Sequence, residues 1–184
     1  MPGEVAIHLG WRSELGGLRV CTWLGSDGKS GVLRLTESHC NDYLKLDSIR
    51  SKRDAAFNEI VTELREWLKG RELPEDMAEV RKTLHAWKSK ERLAKLYWKW
   101  AENRIADDEI IFERLNEWRK EDKHRWQNEG RLSARISRRR KDTYRKFVVE
   151  LSRLYGVAFI AKIDAKELTE NSNPEDLDRD NTTS

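Results

Sequence analysis

The sequence predicts a mixed α/β (α+β) fold: three short strands in an antiparallel meander, a run of long helices, then a fourth strand. Three observations carry this. Near the N-terminus apolar and polar residues alternate with period 2. From about residue 47 apolar residues recur every three or four positions. After a glycine at 156 the chain returns to a β-rich run, VAFIAKI.

The elements follow in order. Residues 4–9 (EVAIHL) read as the first strand, and Ser13 with Gly16-Gly17 as the turn after it. LRVCTWL (18–24) reads as the second strand, Gly25-Ser26-Asp27-Gly28 as a hairpin turn, and VLRL (32–35) as the start of a third. Helical spacing over about 47–69 joins Ile49, Phe57, Ile60, Val61, Leu64, Trp67 and Leu68, with Gly70 and Pro74 closing it. A second helix is predicted over about 75–103, with Leu84, Trp87, Leu93, Leu96, Tyr97 and Trp100 on its apolar face. A third covers about 108–128 through Ile111, Leu115, Trp118 and Trp126, and Gly130 predicts a break or kink. A long helix is predicted over 131–155, then Gly156 as its C-cap and a strand over 157–163.

Domain organisation is one domain, 1–168, with a helical insertion at about 47–128, and a disordered acidic tail, 169–184. No apolar run approaches the ~18 residues of a membrane span. No secretory leader is readable, and Cys21 and Cys40 form neither a disulfide framework nor a zinc motif. A reducing cytoplasm is the expected compartment, and no small-molecule substrate is indicated.

Net charge is only +3, but it is unevenly spread. Residues 114–146 hold thirteen Lys and Arg against five acids, and 164–184 seven acids against two bases. Arg131, Arg135, Arg138, Arg139, Lys141 and Arg145 fall at steps that place several on one helix face. The guanidinium fork suits phosphate, so this face is a candidate for nucleic acid. The plain alternative is a solvated face with Glu129 and Asp142 as ion-pair partners. Trp98 and Trp100 cannot share a helix face, so one is exposed, near Lys95 and Lys99, where it could stack on a base. Packing remains the favoured reading of the tryptophans. His39, His85 and His124 have no partner at metal spacing.

The run Ala6-Ile7-His8-Leu9-Gly10 opening the first strand, the meander after it, and RRRKDTYRKFVVELSRLYG leading into VAFIAKID resemble the RuvC-like nuclease domain of TnpB proteins and of type V CRISPR effectors. The resemblance covers about residues 4–168. It implies a partial RNase H-like (RuvC) fold and nucleic acid (DNA, RNA or a hybrid) as partner, with Trp11 and Arg12 near the substrate and a further protein chain as a possible second partner. It also implies two-metal cleavage, in which carboxylates hold two hard cations. The first carboxylate position holds His8, and neutral imidazole is a poor magnesium ligand. The second holds Ala161, or Lys162 if the register slips by one; the third belongs to a segment this sequence does not contain. The expected catalytic set is therefore none, and the expected metal or cofactor none. The expected function is a nuclease-inactive, nucleic-acid-binding RuvC-like domain. Two rivals stay open: an active magnesium-dependent nuclease using Glu4 and Asp164 or a partner's acids, and a protein-interaction scaffold.

Overall fold

The computed structural model describes residues 3–160. They form a mixed α+β structure of one four-stranded sheet and four helices. The strands are β1 (Gly3–Glu14), β2 (Gly17–Gly25), β3 (Ser30–Thr36) and β4 (Tyr155–Ile160). The helices are α1 (Glu37–Leu68), α2 (Glu75–Thr83), α3 (Lys90–Glu102) and α4 (Glu109–Leu154). The described residues divide into two compact units, one from residues 3–38 with 141–160, the other from 39–140. The segment at about 47–128, expected as an insertion, lies within the second.

The first unit holds the sheet, in the order β3-β2-β1-β4. β1, β2 and β3 pair antiparallel, and β4 pairs parallel with β1. Gly16 takes a positive φ of 88°, which closes a tight turn between Glu14 and Gly17. Gly25 allows a close approach, because a Cβ there would sit 2.1 Å from the Tyr155 hydroxyl. That hydroxyl donates to Asp27 Oδ1 at 2.8 Å and so ties β4 to the β2–β3 turn. Val5, Leu151 and Tyr155 form the small core, with Ile7, Trp23 and Phe147 packed against it. Period-2 alternation sends Glu4, Ala6 and His8 to the other, exposed face.

The second unit is helical, and its core draws on all four helices: Phe57 and Leu64 from α1, Met77 from α2, Leu93 and Trp100 from α3, and Leu115 and Trp118 from α4. Gly130→Ala follows as an expected stabilisation. Gly130 lies inside α4, and an added Cβ would meet nothing within 4 Å. Alanine should add about 1 kcal/mol and raise the thermal midpoint by about 3 °C, read by calorimetry.

Several elements differ from expectation, each for a physical reason. α1 starts ten residues before the expected 47, because its first buried positions are His39 and Asp42 as well as Leu46. Polar residues on a buried face leave no hydrophobic period to read. The helix expected over 75–103 is two helices, separated by a 3-10 turn at Leu84–Ala86 and by Trp87 in an extended conformation. Ser89 then caps α3, its side chain accepting from the Arg92 backbone N–H at 3.1 Å. Gly130 does not break or end a helix: α4 continues through it. A single glycine costs only about 1 kcal/mol, too little by itself to end a long helix. Gly156 lies within β4, which opens at Tyr155, so it is not a helix cap. The expected extent of β4 beyond Ile160 and the acidic tail at 169–184 lie outside the described residues.

Candidate nucleic-acid interface

Four of the predicted cations belong to the part of α4 in the helical unit. Arg135 and Arg139 are held by Asp42 of α1: Arg135 Nη2 donates to Oδ1 at 2.8 Å and Arg139 Nη1 to Oδ2 at 2.7 Å. Asp42 is buried. Burial alone would push its carboxyl up; the two guanidiniums outweigh that and hold it below its ordinary value. Arg131 and Arg138 are exposed, seven residues apart and on one face. Arg138 Nε donates to the Ala134 carbonyl at 3.3 Å. Arg140, not singled out by the sequence, donates to the Tyr43 hydroxyl at 3.4 Å.

Of the two acids expected to pair on this face, Asp142 does so within α4 and Glu129 does not. Glu129 pairs with Arg50 and Arg53 of α1, and Asp142 with Lys146 at 2.8 Å. Arg53 also makes a two-pronged contact with Asp122 at 2.8 and 3.0 Å. Glu129 is thus used on α1, Asp142 pairs within α4, and Asp42, more than ninety residues away, is shared by two of the arginines, leaving a net positive charge. Among the described residues no carboxylate ion-pairs with Arg131, Arg138, Lys141 or Arg145.

In the sheet unit, Lys141 and Arg145 are exposed, one turn apart on α4. Trp11 and Arg12 are not beyond the first strand but within β1, at a register shift between Leu9 and Arg12. Trp11 is 52% exposed. Arg12 stands opposite Arg19, and Arg19 opposite Arg34, so three guanidiniums sit on neighbouring strands. Glu14 offsets two of them, at 3.0 Å from Arg19 and 3.2 Å from Arg34. Among the described residues no carboxylate ion-pairs with Arg12.

His8 projects from the exposed face of β1, opposite Thr22, over a shallow hollow of about 590 Å³ lined also by Ala6, Leu24 and Phe159. With Ser30 also lining it, the hollow offers a hard divalent cation one imidazole and two hydroxyls, which does not fit magnesium. Glu4 shares this face, but it lies four positions from His8 along the strand, roughly 13 Å, too far for both to hold one ion. Among the described residues no three of His, Cys, Asp and Glu come together as a metal site. The β1–β4 pairing is described up to Ile7 opposite Ile160; Ala161, Lys162 and Asp164 lie outside the described residues. No described helix is long and apolar enough to cross a membrane.

Asp42 gives the fold a pH dependence. A carboxylate held below its unfolded value stabilises the fold above about pH 4 and loses that contribution as pH falls through its folded value. The thermal midpoint should therefore drop between about pH 5 and pH 3 and drop less steeply in Asp42→Asn. At neutral pH that variant should already be weaker by about 1–3 kcal/mol.

The geometry defines a mixed α+β chain whose long helix exposes cations that no carboxylate among the described residues offsets. No protein-family profile matches the sequence. Similar proteins exist among curated ones. A protein named CRISPR-associated DNA-binding protein Cas12m from Allomeiothermus silvanus is 35% identical over 170 residues, 91% of this chain and 32% of that protein. The protein of the same name from Thermanaerosceptrum fracticalcis is 32% identical over 176 residues, 96% of this chain and 30% of that protein. One from Mycolicibacterium mucogenicum is 24% identical over 184 residues. The chain spans about a third of the length of the curated relatives it matches.

Proposed function

We propose that this chain is the RuvC-like part of a Cas12m-type effector and binds nucleic acid through its backbone without cutting it. The observation that carries the reading is the match over nine-tenths of the chain to relatives named as DNA-binding proteins. The exposed cations support it. Arg131 and Arg138 in the helical unit, and Arg12, Lys141 and Arg145 in the sheet unit, have no carboxylate partner among the described residues and are available to phosphate. A meander followed by a long helix and a strand parallel to the first supports the RNase H-like reading.

The reading that the chain does not cut is supported by His8. Two-metal hydrolysis needs anionic oxygen ligands to hold the cations and neutralise the developing charge. An imidazole on an open, largely apolar strand face supplies neither. Incubation of end-labelled single-stranded DNA and an RNA–DNA hybrid with the chain and Mg²⁺ or Mn²⁺ tests this. Retarded but intact strands are the expected result. Metal-dependent products that disappear in Glu4→Ala or Asp164→Ala would overturn it.

A further inference from the structure

The helical unit carries a second candidate site, away from the exposed arginines of α4. Trp98 on α3 and Trp126 on α4 are 58% and 60% exposed, and both line one groove of about 480 Å³. Its wall includes Ala94, four residues before Trp98, and Trp118 and Asp122, at four-residue steps before Trp126, so each helix turns one face into it. Trp118 is the buried member: its ring packs on Phe57 at 6.2 Å, and its Nε1 is buried without an acceptor among the described residues. Trp126 lies about 80° around the helix from Trp118 (eight residues at 3.6 per turn). This offset explains why a residue grouped with the apolar stripe in sequence stands in solvent.

The groove is also basic. Arg53, Lys90, Arg119 and Lys123 line it against Glu91 and Asp122. Arg53 is committed to Asp122, Lys90 to Asp54 and Glu91 to Lys95. Arg119 and Lys123 have no carboxylate partner among the described residues. The Arg119 guanidinium lies 4.5 Å from the Tyr97 ring centre and 4.8 Å from that of Trp98, which adds a charged plane to the aromatic wall. A quaternary-ammonium ligand would meet this surplus of cations and be repelled. A flat, electron-rich ligand with attached negative charge fits both features, and the volume is within the range of small-ligand sites.

We infer that this groove stacks unpaired bases of a single-stranded nucleic acid on Trp98 and Trp126, with Arg119 and Lys123 on the adjoining phosphates. This goes beyond the proposed function. Phosphate contacts alone do not tell a single strand from a duplex, whereas stacking on an indole requires a base face that a duplex keeps hidden.

The test compares three fluorescently labelled ligands by anisotropy: an oligothymidylate of about 16 nucleotides, an abasic strand of equal length, and a duplex. The chain should prefer oligothymidylate over the abasic strand by at least about fivefold, the lower end of one stacked base. Trp98→Ala with Trp126→Ala should abolish that preference and leave duplex affinity and the salt dependence unchanged. A preference retained in a double variant with unchanged circular dichroism overturns the inference. So does equal binding of the two single strands by the unsubstituted chain; if that binding still weakens with salt, the phosphate reading stands and only the stacking site fails. Should the double variant not fold, Trp126→Ala alone decides: a reduced preference supports the site, and an intact one overturns it.

Discussion

Arg131→Glu with Arg138→Glu is expected to weaken nucleic-acid binding about tenfold to hundredfold at moderate salt while leaving the fold intact. Both side chains are exposed, share one face of α4 and ion-pair with no carboxylate among the described residues. Each lost phosphate contact also removes counterion release, so the slope of log K against log salt should flatten by about 1.4 for a single strand and about 1.8 for a duplex. Sequence preference should not change, because phosphate contacts carry no base information. The choice of residues matters. Reversing Arg139 would set a carboxylate against buried Asp42, and lost binding would then report damage to the α1–α4 contact. Binding isotherms across salt check the prediction; unchanged affinity would make this face a solvated one.

The largest effect on stability is expected from Asp108→Ala, about 3–5 kcal/mol, or a drop of about 10 °C in the thermal midpoint. Asp108 is 1% exposed and sits where α3 gives way to α4. It accepts from Trp100 Nε1 at 2.7 Å, from the Ile105 backbone N–H at 2.9 Å and from Arg104 Nε at 3.0 Å. Burial alone would push its carboxyl up, and these donors, Arg104 foremost, hold it below its ordinary value. Alanine leaves the Trp100 N–H buried without an acceptor in the helical core. Asp108→Asn should fall between the two, since it keeps an acceptor and loses the charge. Denaturant melts of the three proteins provide the check.

The parts of the fold written in short-range patterns were legible. Alternation in EVAIHL sends His8 to a different face from Val5, and the structure exposes the first and buries the second. The exclusion between Trp98 and Trp100 also held, with Trp100 at 1% exposure. What was hidden depends on distant partners. Asp42 lies ninety-three residues from Arg135, so nothing in the local spacing of the arginines marks two of them as ion-paired to one carboxylate. The start of α1 was hidden because a histidine and an aspartate occupy its buried face. The groove between α3 and α4 needs two helix faces brought together, and the amphipathic pattern that announced packing at Trp118 gave Trp126 the same appearance. Trp11 could be placed near the end of a strand, but the register shift that keeps it inside β1 is a property of the pairing with β2.

A chain that holds nucleic acid by its phosphates releases counterions on binding, and the salt dependence of affinity reads those contacts. With labelled single-stranded DNA, Mg²⁺ present and salt varied, log K should fall linearly with log salt, with a slope between about −2 and −4, and the DNA should be recovered whole. A slope near zero would contradict binding through the phosphates.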